Sequence, residues 1–460
     1  MVAGTASHVG KSWTATAVCR YLRHKGIRVA PFKAQNMSNN SFPCVGGGEI
    51  GRAQVAQAQA CGLEPTPDMN PILLKPASDR RSQVVVNGKV WKTMDAARYY
   101  EEFDHLLSQV LDAYHRLVRQ YDFVVIEGAG SVTELNLRHR DLVNLGLATR
   151  VNAPVMLVAD IDRGGVFASL VGTFALLEPE EHALVRGFAV NRFRGDPELF
   201  ANGRQMLEQR TERPCLGVFP YDASIMLDAE DGVGIPKENS NSAEAAIVHL
   251  PHVSNTTDFR LLPHALWITR ALDRQFKTVL LPGTKNTVDD LHWLQRTGLA
   301  DWVKQQHRGG ATVMGICGGY QMLGESVEDP DGVESARVQI DGLGLLPCRT
   351  RLAKEKVTRR VDAVSCAGTT FSAYEIHMGE TVVESNVPPF ARLSDGSDDG
   401  AIFNRCLGTY LHGALEDPAI VREALGIEVH EAPSREQNYE RLAQWFASHV
   451  DERKFAELYL

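Results

Sequence analysis

Two series of short apolar runs, each run followed by a stretch of helical periodicity, set the strongest limit on how this chain can fold. In the first series, Ile27 to Ala30, Phe123 to Ile126, Val155 to Ala159 and Gly187 to Val190 read as buried strands. In the second, Ala246 to Leu250, Thr278 to Leu281 and Ala311 to Ile316 read the same way. Strands of this kind alternating with helices favour a parallel sheet covered on both faces, so two α/β units are predicted. A length of 460 residues suits two such units better than a single core. The polar, weakly periodic segment from Glu230 to Ala243 separates them. The expected division is therefore 1–238, a linker at 239–245, a second unit at 246–437, and a closing helix at 438–460. In that tail Leu442, Trp445, Phe446, Val450, Phe455 and Leu458 fall at helical spacing.

Charge and cysteine usage narrow the class of function. A net charge of −9 with no long basic run argues against capture of nucleic acid or an anionic membrane surface, both of which need clustered Lys and Arg. The eight cysteines lie far apart without a CxxC pair, so reduced, mostly buried thiols are expected. No apolar run approaches the roughly 18 residues of a membrane span, and no signal-peptide pattern precedes the first glycine loop. A cytoplasmic enzyme acting on small molecules is the expectation.

The residues Gly4 to Ser12 read GTASHVGKS and lead into a helical stretch with Trp13, Ala17, Val18, Tyr21 and Leu22 on one stripe, ending at Gly26. A glycine loop feeding a helix suits phosphate: small residues let backbone N–H groups approach the anion, and the helix dipole favours negative charge. Gly4, Thr5, Gly10, Lys11 and Ser12 are the candidate nucleotide-binding residues, with Lys11 on the transferred phosphoryl group and Ser12 on Mg2+. The first glycine stands one residue further back than in the usual spacing. Only Met1, Val2 and Ala3 precede it, so either the true start lies upstream or the first strand is shortened. Glu127, directly after the apolar run FVVI, lies where ligands bind in open α/β sheets and is a candidate metal ligand. Glu49 in GGEIGRAQ is a second, although a dipole-complementing acid reads equally well there.

In the second unit, Ala311 to Gly324 reads ATVMGICGGYQMLG: an apolar strand, a cysteine, two glycines and a helix-like segment. The glycines permit a tight strand-to-helix turn that exposes the Cys317 sulfur and directs N–H groups, that of Gly318 among them, at an oxyanion. His412 in GTYLHG is the candidate base. The loop PGTKNT after TVLL offers the N–H of Gly283 or Thr284 as a further oxyanion donor, or is an ordinary turn.

Together these residues resemble glutamine amidotransferases of the Cys-His type, except that Ala414 stands where those proteins usually carry a glutamate two residues after the histidine. That departure, and the longer phosphate loop, are similar to the branch containing cobyric acid synthase and cobyrinate a,c-diamide synthase, whose first domain resembles dethiobiotin synthetase. The runs PFKAQNMSNNS, GGEIGRAQVAQ, DMNPILLKP, NLRHRDLVNLG and DIDRGGVF look like the cobyric acid synthase family. The resemblance implies a P-loop, dethiobiotin synthetase-like parallel-sheet domain joined to a class I-like glutamine amidotransferase α/β domain. It implies ATP at Thr5 to Ser12, Mg2+ near Ser12, Glu49 and Glu127, corrinoid contacts from the QNM and NLRHRD loops, and Asp141 assisting phosphoryl transfer. The implied reaction is amidation of the b, d, e and g carboxylates of adenosylcobyrinic acid a,c-diamide, with glutamine and ATP consumed. A homo-oligomer is compatible with this reading. The rivals are the same machinery on another corrinoid acid, and a partition-type ATPase switch that performs no ligation.

Overall fold

The computed structural model describes residues 1–78, 81–228, 243–335, 337–429 and 433–460. The linker expected at 239–245 lies outside the described residues except for its last three.

The first half is built on parallel strands β1 (Val2–Gly4), β2 (Val29–Phe32), β3 (Phe123–Ile126), β4 (Val155–Asp160), β5 (Val185–Phe193) and β6 (Cys215–Pro220). β1 pairs with β4, β4 with β5 and β5 with β6, and a Val2–Glu127 bridge brings the β2–β3 pair alongside β1. Every residue of β4 is buried, as expected where helices cover both sheet faces. β1 has three residues and sits in the middle of the array. Helix α1 (Lys11–His24) follows the loop after β1, and its chain reverses at Gly26, whose φ of 79° suits the residue beyond a helix end. A four-stranded sheet of Gln35–Met37, Ile72–Ser78, Arg81–Val86 and Lys89–Asp95 is inserted beside this layer.

The second half has parallel strands β7 (Ala245–Val248), β8 (Leu266–Ile268), β9 (Thr278–Leu281) and β10 (Thr312–Ile316), and the later strands β11 (Ala401–Phe403) and β12 (Cys406–Thr409). Their order is β8-β7-β9-β10-β12-β11, with only β11 antiparallel to its neighbour. A long antiparallel hairpin, Cys348–Ser365 with Thr370–Val383, lies over the strand ends and is joined to the histidine loop through a Tyr374–His412 bridge.

The single closing helix expected at 438–460 is two helices, Arg435–His449 and Glu452–Tyr459. The first begins at a capping box of Ser434 and Gln437. It stops because Val450 turns extended and pairs with Gly217 of β6, after which Asp451 caps the second helix. Both helices return to the first half: Tyr439, Leu442, Trp445, Phe446 and Phe455 share one core with Val18, Tyr21 and Leu22 of α1. Among the described residues, no helix is long and apolar enough to cross a membrane.

Candidate active site

Two reaction centres form at the carboxyl ends of the two sheets. At the first, Gly10 adopts φ 101° and approaches Asn191 so closely that a Cβ would lie 2.1 Å from its Nδ2, which excludes any side chain there. The α1 N-terminus carries no acidic residue in its first turn and no side-chain cap, so its leading N–H groups suit an anion. Lys11 Nζ donates to the carbonyls of Ala6 at 3.0 Å and Gly130 at 2.7 Å, which arches the ammonium over the loop. Ser12 Oγ donates to Glu127 Oε1 at 2.7 Å, so the structure brings together the hydroxyl and carboxylate singled out from sequence. Glu127 is buried, with Lys33 Nζ 2.9 Å from Oε1 and Gln57 Nε2 donating to Oε2. Oxygen ligands of this kind fit a hard cation that also takes phosphate oxygens, so Ser12 and Glu127 suit Mg2+. Lys33 and Gln57 escaped the sequence reading, although both lie inside the runs quoted above. Around these groups is a cavity of about 880 Å3, reached by Lys11, Ser12 and Glu127 from the first half and by His249, Pro251 and Val253 from the second.

Two other acids expected here are elsewhere. Glu49 does not line this cavity. Its Oε2 accepts from Lys75 Nζ and Ser41 Oγ, at 2.8 Å and 2.7 Å, and its Oε1 pairs with Lys356 from the second half. Burial pushes the Glu49 carboxyl up, but Lys356 and Lys75 outweigh it and hold the group below the ordinary carboxylate range. Asp141 is a local cap: its Oδ1 accepts from the N–H groups of Val143 and Asn144, at 2.9 Å and 2.8 Å, and its Oδ2 from Gly146 at 2.8 Å. Those bonds brace the start of the helix Leu145–Val151.

At the second centre Cys317 ends β10 and starts the helix Gly318–Leu323 with φ 53° and ψ −111°, a conformation rare outside glycine and typical of a strained nucleophile turn. The turn closes because Gly319 has no side chain: a Cβ there would lie 2.1 Å from the Leu281 carbonyl oxygen. The sulfur is 3.5 Å from the Ile376 carbonyl and within hydrogen-bonding reach of His412. Gly283 lies against the imidazole, where a Cβ would stand 2.8 Å from Cε1, and a Gly318 Cβ would meet Thr284 at 2.5 Å. Cys317, His412, Gly283 and Gly318 are thus gathered in one place.

The orienting group that the sequence left open is occupied by Asp258. His412 and Asp258 are both fully buried, with Nδ1 2.7 Å from Oδ2, and Asp258 Oδ1 accepts from the Gly413 N–H at 2.7 Å. Burial alone would strip the proton from His412, but Asp258 and then Cys317 outweigh it and raise its pKa to about 10. On the other side, Asn255 Nδ2 lies 3.2 Å from Nε2, and Tyr374 stacks on the ring at 5.3 Å. Asp258 sits in a one-turn segment, Thr256–Phe259, which has no periodicity to draw attention to it.

A nucleotide loop on one sheet and a Cys-His pair on another define a class: a P-loop domain joined to a glutamine amidotransferase domain. Comparison with known proteins agrees. Residues 1–235 match the CobQ/CobB/MinD/ParA nucleotide binding domain, and residues 244–420 match the CobB/CobQ-like glutamine amidotransferase domain. The chain is 44% identical to cobyric acid synthase of Parabacteroides distasonis, covering 98% of this chain and 96% of that protein. It is 42% identical to cobyric acid synthase of Syntrophobacter fumaroxidans, over 100% and 98% of the two chains. For the protein of that name from Dehalococcoides mccartyi the figures are 41%, 99% and 97%. The chain belongs to the cobyric acid synthase family.

Proposed function

We propose that this enzyme amidates the b, d, e and g carboxylates of adenosylcobyrinic acid a,c-diamide to give adenosylcobyric acid, a step of cobalamin biosynthesis. Residues 1–238 form the ATP-dependent ligase domain and residues 246–437 the glutaminase domain, with 438–460 bracing the first. The observation that carries the reading is a cavity lined both by the phosphate loop and by the glutaminase domain, in a chain similar over nearly its whole length to cobyric acid synthases.

A carboxylate is a poor electrophile, so it is first converted to an acyl phosphate by ATP. Lys11 and the loop N–H groups hold the phosphates, and Ser12 and Glu127 hold Mg2+, which when bound neutralises charge on the phosphoryl oxygens. Cys317 attacks the glutamine carboxamide, and the N–H groups of Gly283 and Gly318 face the developing oxyanion. His412 takes the thiol proton and delivers it to the departing ammonia, leaving a thioester on Cys317 that water hydrolyses to release glutamate, while Asp258 holds the ring with Nδ1 toward itself. Ammonia then attacks the acyl phosphate and phosphate leaves. The QNM and NLRHRD runs are the proposed corrinoid contacts.

The test is incubation with Mg-ATP, glutamine and the a,c-diamide corrinoid, followed by mass spectrometry. Stepwise conversion of carboxyl to carboxamide, with matching glutamate and ADP, is expected. Glutamine and ATP turnover that leaves this corrinoid unmodified would remove the substrate assignment.

A further inference from the structure

Resting on that reading, we propose that Asn39 is the hand-off point through which ammonia passes from the Cys317 centre to the nucleotide centre. A small cavity of about 40 Å3 lies beside Cys317, bordered by Lys285, Lys356 and Glu334. That is room for a few molecules the size of water or ammonia. Asn39 lines this cavity and also the large one that holds Lys11 and Ser12. Its Oδ1 is buried and has no hydrogen-bond partner among the described residues. An unmade hydrogen bond at a buried amide oxygen is costly, and is explained where a transient donor is meant to fill it. Ammonia is a donor of the right size.

The residues next to Asn39 are bonded to the second half of the chain. Asn255 Oδ1 accepts from the Ser41 N–H at 3.0 Å, and the Thr256 N–H lies 3.3 Å from Asn40 Oδ1. The same Asn255 lies against His412, so the segment carrying Asn39 is fixed directly to the group that releases nitrogen.

The charge around the small cavity selects the species that travels. Lys75, Lys285 and Lys356 all border it, and Glu49 is shared between two of them. Burial lowers the pKa of Lys285 against the pull of Glu334, and burial lowers that of Lys356 to about 7 against the pull of Glu49. A site that already resists its own ammonium groups resists an ammonium ion. It favours neutral ammonia, the form able to attack an acyl phosphate.

The experiment measures amide formed per glutamine hydrolysed, using the full chain with Mg-ATP and the a,c-diamide corrinoid. In Asn39→Leu, glutamine hydrolysis is expected to hold while the ratio falls about five- to tenfold, the scale of one lost hydrogen bond plus a blocked passage. Ammonium chloride should restore amidation to the wild-type rate. Asn39→Asp, nearly isosteric but a trap for ammonium, should lower the ratio too, and it decides the matter if the leucine variant is insoluble. An unchanged ratio in the soluble variants overturns the hand-off. So does a raised KM for glutamine at constant ratio, which would make Asn39 a glutamine contact, or a loss that ammonium does not restore. If wild-type protein itself makes no amide, the proposed function fails first and the hand-off with it.

Discussion

Replacing Asp258 by asparagine isolates what the carboxylate does for His412. The side chains are nearly the same shape, and the new carbonyl oxygen can still accept from the Gly413 N–H, now met by Oδ1 at 2.7 Å. What changes is the face toward the ring. The carboxylate 2.7 Å from Nδ1 becomes an amide whose NH2 turns Nδ1 into an acceptor and moves the proton to Nε2. Nε2 can then no longer receive the proton of the thiol. The charge effect runs the same way: burial already pulls the imidazole pKa down, and without Asp258 the value of about 10 collapses.

Breaking a fully buried charged pair of this kind costs about 3–5 kcal/mol, which on the barrier to glutamine hydrolysis is a loss of roughly 10²- to 10⁴-fold. Glutamate release is the assay, read beside corrinoid amidation with ammonium chloride in place of glutamine. The second activity should stay at the wild-type level, because Asp258 does not line the nucleotide cavity. A glutaminase rate within about tenfold of wild type would refute the orienting role, since positioned proton transfer contributes more than that.

Lys11→Ala should make no amide even with ammonium supplied, whereas Cys317→Ala should lose glutamine use and keep ammonium-dependent synthesis; mass spectrometry of the corrinoid distinguishes the two. Phe446→Ala should destabilise the protein by about 3–5 kcal/mol in denaturant unfolding, because the ring is fully buried and stacks on Phe219 at 5.5 Å. His412 has a folded pKa of about 10 against an ordinary 6.5, so its contribution to stability is complete below 6.5 and fades as pH rises through 10. The stability advantage of wild type over His412→Asn should therefore shrink across that window in urea titrations.

The parts of the molecule that could be read from sequence are those in which local pattern and final role coincide. The parallel strands announce themselves as apolar runs because both faces are covered. The two functional turns announce themselves through glycines that no other residue can replace, at Gly10 and Gly319. The parts that escaped depend on distant partners. Asp258 meets His412 across 154 residues, and Glu49 meets Lys356 across 307. In sequence, Glu49 looks like any acid before a helix. Asp141 stands out in sequence only as an acid, and its bonds to three N–H groups of the next turn appear only in the folded chain. The tail helix was read as unbroken because the apolar spacing carries on through Val450, and only Gly217 of β6 explains the break.

The run GGEIGRAQ also ties the two halves of the chain together. Glu49 and Arg52 both reach across to the second half, Glu49 to Lys356 and Arg52 to Glu416 at 3.2 Å, with Arg52 also 3.2 Å from Asp228. Arg435 closes the figure, 2.6 Å from Glu416 and 2.9 Å from Asp228. Well-packed apolar residues could supply comparable stability, so these charges are better understood as fixing register than as adding strength. The register matters because the Arg52 guanidinium lies over the rings of Phe42 and Tyr374, and Tyr374 lies flat on His412. The His412 imidazole is thus held in part by a side chain from the nucleotide-binding domain. A glutaminase half separated from residues 1–228 would keep Cys317, His412 and Asp258 but lose the stack of Arg52 on Tyr374.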